Sequence, residues 1–277
     1  MTDSQILRIS HKTTYRYEDP VDYALQQLRL TPKTRPGQAV LTWDTTLTGA
    51  RPELTFEDAH ANPVQLISFV PGSTEIIVEC TGEVEVQNMN GVFGDHLGFM
   101  PLWMFERSTA LTKPGPLVLN LVQGLTHDNT DLGKLHSLSA AIYDQVAYTA
   151  GSSLVTSSSE QILEAGKGVC QDHAHVFVAA ARLMGFPARY VSGYLLMEDR
   201  VDQDATHAWA EAHVPSLGWV GFDVSNEVCP DIRYVRIATG LDYAGAAPVS
   251  GMRFGDGAES LSVAVQVEAQ QQSQSQS

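Results

Sequence analysis

Three residues in the C-terminal half of the chain have side chains that together can perform acyl transfer. Cys170 follows the glycine loop Gly166-Lys167-Gly168 and opens an apolar stretch, Gln171 to Met184, with the composition of a helix. At a helix start, unpaired backbone N–H groups and the positive end of the dipole favour a thiolate, and the same N–H groups can stabilise an oxyanion on a substrate. Taken alone, such a cysteine also reads as a small buried residue; the flanking glycines and the two partners below favour a nucleophile. His207 begins the alternating stretch HAWAEAHV. Alternation places His207, Trp209, Glu211 and His213 on one face and Ala208, Ala210, Ala212 and Val214 on the other. The alanine face suits close packing on a helix; the aromatic and polar face suits the wall of a site. Asp223 ends the apolar run GWVGFD. A carboxylate there needs a partner, and an imidazole N–H would supply one and fix the tautomer of a base. An Asx-turn residue closing the strand is the alternative.

Other polar residues lie near these three in sequence. Asp172 favours the helix N-terminus by its charge. His173 shares the face of Cys170, but His175 is rotated by about 140° at about 100° per residue, so no metal site is expected. Cys80 and Cys229 read as structural, while Trp103 and Tyr148 are aromatic candidates for lining the site.

The elements that must position these groups follow from the pattern. Residues 7–17, 23–31, 38–47, 64–69 and 75–86 read as strands, separated by Pro32, Pro36-Gly37, Asn62-Pro63 and Pro71-Gly72. This predicts a β-rich, sandwich-like N-terminal domain over residues 1–95. Residues 96–130 read as a linker, because the stretch from Gly91 to Pro116 is irregular and rich in glycine, proline and aromatics. The period then changes. Leu132, Leu135, Leu138, Ile142 and Val146 recur at helical spacing over 131–148, a short helix is expected over 159–165, and Gly185 and Pro187 stop the helix that follows Cys170. Strands are expected at 188–196, 205–214, 219–224, 231–239 and 261–268. A helical subdomain followed by an antiparallel sheet is an α+β arrangement, assigned to residues 131–268. The polar end 269–277 is expected to be disordered.

The whole chain has 277 residues and a formal net charge of -15. With its 17 Lys and Arg scattered, it offers no basic stripe for a phosphate backbone, so nucleic-acid binding is not expected. No apolar run approaches the roughly 20 residues needed to span a bilayer, and residues 1–10 lack the pattern of a secretory signal. Three separated cysteines without a CxxC pair fit free thiols in a reducing, cytoplasmic setting. A peptide or protein substrate is the expected partner, no cofactor is expected, and the sequence assigns no oligomeric state.

Gly168-Val169-Cys170-Gln171-Asp172, then Thr206-His207-Ala208-Trp209, then Gly218-Trp219-Val220-Gly221-Phe222-Asp223 resembles the bacterial transglutaminase-like family. The resemblance extends over residues 1 to about 90 and over Cys229-Pro230-Asp231 and Arg233-Tyr234-Val235-Arg236. It implies a papain-like core in which Cys170 attacks an amide carbonyl, His207 moves the proton and Asp223 holds His207. The thioester then passes to water, the favoured acceptor here, or to an amine as in a transglutaminase proper. A non-enzymatic scaffold is the rival reading, opposed by the intact Cys-His-Asp set. Two positions depart from the pattern: Asp223-Val224-Ser225 replaces Asp-Pro-Thr, and Leu241-Asp242-Tyr243 replaces Arg-Asp-Tyr.

A register condition follows. A symmetric four-residue connection, Pro215 to Gly218, would pair Val214 with Trp219 and set Asp223 on the alanine face, away from His207. The triad therefore requires an odd-length connection there, or a β-bulge between Trp209 and Asp223. Without either, Asn226 would be the residue facing His207.

Overall fold

The computed structural model describes residues 3–125, 128–255 and 257–270. Its first half is strand-rich, as expected. Strand β1 (Ser4–Val21) buries alternate side chains, Leu7, Ile9, His11, Thr13, Tyr15 and Tyr17, on one face. It is followed by β2 (Tyr23–Leu28), β3 (Gln38–Thr48), β4 (Ala50–Glu57), β5 (Pro63–Phe69), β6 (Ser73–Gln87) and the short β7 (Val92–Gly94). Next come α1 (Pro116–Gln123), α2 (Asp131–Gln145), β8 (Ala147–Tyr148), α3 (Ser159–Ala165), β9 (Lys167–Gly168) and α4 (Cys170–Leu183). The chain then runs through β10 (Ala188–Leu195), β11 (Asp202–Gln203), β12 (His207–Val214), β13 (Gly218–Phe222), β14 (Tyr234–Gly240), α5 (Tyr243–Ala246), β15 (Val249–Phe254) and β16 (Glu259–Ala269).

Three larger sheets result. One has the order β11-β16-β1-β6-β3, another β15-β2-β5-β4, and the third β14-β10-β12-β13-β7. The first two share one apolar core, with Leu7, Ile9, Val78 and Val84 from one sheet and Leu28, Ile67 and Phe69 from the other. In the third sheet the alanine face of β12 does pack on α4. Ala208, Ala210 and Ala212 lie in one cluster with Val176, Ala179 and Ala180 of the helix. The small side chains let sheet and helix backbones approach closely. Among the described residues no helix is long and apolar enough to cross a membrane.

The division into consecutive segments does not hold. Strands β15 and β16, assigned from sequence to the catalytic part, pair with β2 and β1 of the N-terminal half. Conversely, β7 pairs with β13 in the third sheet. Period-two alternation identifies a strand but not its neighbour, so sequence order misled here. The expected linker holds a 3-10 turn at Leu102–Glu106 and α1, which starts on Pro116 and buries Val118 and Leu121. Helix α2 stops at Gln145, because Val146 leaves helical geometry and the next two residues pair in parallel with β9. Of the polar end, only Ala269 and Gln270 fall within the described residues, and both extend the β16 pairing, Ala269 opposite Leu7 and Gln270 N–H donating to the Ile6 carbonyl.

The two halves are joined by side-chain amides acting as a strand. At the edge of the third sheet, Gln38 accepts from the Arg236 N–H (2.9 Å) and donates to the Arg236 carbonyl (3.0 Å). Asn62 does the same to Thr239, at 2.9 and 2.8 Å. Each amide thus satisfies two backbone groups that an uncovered edge strand would leave open. Both are buried, Gln38 at 6% and Asn62 at 3% exposure. Gln38→Ala is expected to lower unfolding stability by about 2–4 kcal/mol, the cost of leaving a buried N–H and C=O unpaired. Asn62→Ala should cost a similar amount. Leu41→Ser, at an exposed site on β3, should stay within about 0.5 kcal/mol. Urea unfolding midpoints measure all three.

Candidate active site

Helix α4 begins at Cys170, with Val169 as an extended N-cap residue. The Asp172 carboxylate accepts the Val169 N–H at 2.8 Å and the Ser153 hydroxyl, which ties the loop before α3 to the helix start. Burial nevertheless pushes the Asp172 carboxyl above its usual range. Its Oδ1 has no partner among the described residues. Cys170 itself is partly exposed, in a helix turn whose first N–H groups have no intrahelical acceptor.

His207 opens β12 and is 6% exposed. Its Nε2 donates to Asp223 Oδ2 at 2.6 Å. The Cys170 thiol adjoins the same ring, leaving Nδ1 as the nitrogen free to meet it. Burial alone would lower the His207 pKa; the Asp223 carboxylate and the Cys170 sulfur outweigh it and raise it. Burial likewise acts to raise the Asp223 carboxyl, yet His207 and its hydrogen-bond donors hold it below the ordinary value.

The register condition is met. Ala210 pairs with Phe222 and Val214 with Gly218, so the connection is the three residues Pro215-Ser216-Leu217. Gly218, the first residue after the loop, sits at φ 81°, a left-handed conformation that glycine adopts without steric cost. Continued one step, this register sets Asp223 opposite Trp209, on the His207 face and one diagonal away, within reach of an imidazole.

Two residues that sequence reasoning did not assign also donate to Asp223 Oδ2, while its buried Oδ1 has no partner among the described residues. The Tyr234 hydroxyl donates to Asp223 Oδ2 at 2.8 Å and Asn226 Nδ2 at 2.7 Å. Asn226 thus supports Asp223 rather than replacing it. The Tyr234 ring also packs edge-on against Trp209 at 5.5 Å. The only sequence signal for Tyr234 was its place in Arg233-Tyr234-Val235-Arg236.

The remaining candidates take other places. His173 lies between the Val146 carbonyl and Ser225 Oγ, each at 2.8 Å, so it holds α2 and the segment after Asp223 rather than joining Cys170. Ser225, one of the departures from the family pattern, is therefore the His173 partner. His175 accepts the Tyr243 N–H, and Asp242 caps α5. Glu211 is fully buried between Arg189 and Arg236. Cys80 is fully buried, and burial raises its thiol to about 11; Cys229 is raised for the same reason. Tyr148 lines the cleft at Cys170, while Trp103 sits exposed on the 3-10 turn.

That cleft has a volume of about 470 Å³ and contains Cys170, Gln171, Tyr190, His207 and Ala208. A larger hollow of about 790 Å³ at the other end of α4, lined by Met184, Phe186 and Pro215, holds none of the three candidate residues.

Residues 119–224 match the model of the transglutaminase-like superfamily, and residues 7–85 that of the bacterial transglutaminase-like N-terminal region. The chain belongs to the bacterial transglutaminase-like family. It is 28% identical over 283 residues to an uncharacterized protein of Mycobacterium tuberculosis, covering 92% of this chain and 89% of that one. An uncharacterized Mycobacterium leprae protein is 26% identical over 270 residues, at 93% and 96% coverage. A shorter match, 31% over 108 residues, joins 34% of this chain to 16% of a protein-glutamine gamma-glutamyltransferase of Pseudomonas aeruginosa. A solved structure of a candidate cysteine protease from Cytophaga hutchinsonii shares the fold, with a TM-score of 0.79 over 97% of this chain and 91% of that chain at 20% identity.

In this transglutaminase-like chain the Tyr234 phenol is one of three donors keeping Asp223 anionic. Tyr234→Phe removes that donor and lets the carboxyl pKa rise. The acid limb of the pH profile for Cys170 alkylation is then expected to move toward neutral pH, with only about 1 kcal/mol lost in stability. Iodoacetamide rates across pH, read by peptide mapping, check this; an unchanged profile would reduce Tyr234 to a packing role.

Proposed function

We propose that this protein performs amide acyl chemistry through a thioester on Cys170, with His207 carrying the proton and Asp223 orienting His207. The observation that carries this reading is the buried 2.6 Å His207–Asp223 hydrogen bond, with a thiol at a helix N-terminus against the same imidazole. Because Nε2 is committed to Asp223, Nδ1 takes the thiol proton. The sulfur then attacks the carbonyl carbon. The resulting oxyanion is met by the free N–H groups of the first α4 turn. Collapse expels the amine, which takes the proton back from His207, and leaves the acyl group on sulfur. Water, deprotonated through the same nitrogen, releases the acid and regenerates the thiol.

Hydrolysis of a peptide-like bond is the favoured outcome, since water needs no binding site of its own. Amine transfer uses the same residues and differs in the second acceptor alone. The match to the Pseudomonas aeruginosa gamma-glutamyltransferase favours that second reading. A substrate trapped as a thioester on Cys170 from a lysate and then offered dansylcadaverine separates the two. Dansylated product means transfer, and free acid alone means hydrolysis.

The thiol test requires no substrate. Cys170 is expected to react with iodoacetamide at neutral pH at least about a hundredfold faster than Cys80 and Cys229, whose thiolates burial disfavours. Equal rates at the three cysteines would remove the nucleophile. With a substrate in hand, Cys170→Ala should lower turnover by about 10³–10⁴-fold or more and His207→Ala by a similar factor. Asp223→Asn should be milder but still costly, because an amide can hold the wrong tautomer.

A further inference from the structure

Part of the cleft lining is supplied by strands outside the third sheet. His11, Thr13 and Tyr15 of β1 alternate along one face and line it. Beside them β16 contributes Leu261, opposite Tyr15, and Val263, opposite Thr13. Val249 extends the wall from β15, while Tyr148 and Met197 stand at its rim.

This wall carries no charge near neutral pH. The His11 nitrogens are both committed, Nε2 to Thr13 Oγ1 at 2.8 Å and Nδ1 to the Tyr194 hydroxyl at 3.2 Å, and burial lowers its pKa to about 4. Burial raises the Tyr15 and Tyr148 hydroxyls, so they stay neutral as well. Apart from His207 beside Cys170, the charged lining residues are Arg200 and Asp204, of opposite sign, on the arch between β10 and β12. Leu261 and Tyr148 are 55% and 58% exposed. A covering apolar group would remove that surface from water, which is favourable.

We propose that the β1–β16 face is the specificity wall of this cleft, and that it takes a bulky apolar or aromatic side chain next to the carbonyl that Cys170 attacks. The inference rests on the reading of Cys170 as nucleophile and adds to it the class of substrate. It also assigns the N-terminal half a part in binding, since β1 belongs to it and β16 is held in its sheet.

Cys170-directed probes test this directly. A set of acylated dipeptide chloromethyl ketones, differing only at the position next to the reactive carbonyl, is compared by the rate of adduct formation on Cys170. Leucyl and phenylalanyl probes are expected to react at least about tenfold faster than alanyl, glutamyl and lysyl probes, the discrimination an apolar pocket gives for side-chain size. Leu261→Ser and Val263→Ser are each expected to shrink the leucyl-to-alanyl ratio by about threefold or more. Because the ratio is taken within one variant, a general loss of thiol reactivity cancels. A ratio near one in the parent protein, a preference for a charged probe, or a preference that survives both substitutions overturns the proposal. Failure of the nucleophile reading looks different: Cys170 would then be no faster than Cys80 and Cys229 toward iodoacetamide.

Discussion

A carboxylate buried at 1% exposure constrains everything around it. Asp223 cannot be hydrated, so the fold must bring donors to it or leave a costly unpaired charge. It brings three, His207, Asn226 and Tyr234, all to Oδ2. Each comes from a different stretch of chain, and each fixes something. The His207 bond needs β12 and β13 in one register, because a slip of one residue would turn Asp223 to the alanine face. Asn226 needs the 3-10 turn Val224–Asn226, closed by the Asp223–Val228 bridge. Tyr234 needs β14 to start where it does. Holding the charge therefore also fixes the geometry of the imidazole.

Helix α4 is held by polar bonds at both ends as well as by its apolar body. At its start, Asp172 and His173 reach back to Val169, Ser153, Val146 and Ser225. At its end the buried Arg182 donates to the carbonyls of Phe105, Ala188 and Leu241 and to the Thr112 hydroxyl. A guanidinium, with five donors in a fixed fork, can collect carbonyls from three separate segments at once. Burial weakens its base form's competitor, lowering its pKa to about 10, which still leaves it charged near neutrality. A helix fixed this way cannot slide along the alanine face of β12, and so cannot carry Cys170 away from His207.

Legibility in the sequence followed the range of the interaction. The α+β class, the helix at Cys170, the alanine face and the parity of the hairpin depend on period or on a few adjacent residues. An odd-length connection or a bulge could be demanded from the parity of His207 and Asp223 alone, and the connection Pro215-Ser216-Leu217 is the one that occurs. Tyr234 and Asn226 were not legible as partners of Asp223, because their bonds depend on where β14 and a 3-10 turn lie in space. The same reason defeated the consecutive division of the chain. Nothing in the alternation of residues 259–269 tells that they pair with β1 rather than with the third sheet. The helix at Pro116 escaped because eight residues give too few turns for a period to stand out beside the irregular stretch before it.

The edge of the third sheet explains how the two halves are joined. In a regular strand, backbone groups facing outward recur every second residue. On β14 the groups met by Gln38 and Asn62 belong to Arg236 and Thr239, three apart. The irregularity between Ser192 and Gly193 in the pairing with β10 supplies the missing residue, Ile237. A bulge thus turns two separated peptide groups toward the N-terminal half, where side-chain amides meet each with one donor and one acceptor. Such matching is geometric, with little tolerance for a shifted domain. The buried Glu211 of β12, between Arg189 of the adjoining β10 and Arg236 of β14 beyond it, adds to it. Arg236 gives its backbone to Gln38 and its guanidinium to Glu211. The strand that is pinned across the interface is therefore also pinned within the sheet, and β14 carries Tyr234 to Asp223 from a fixed start.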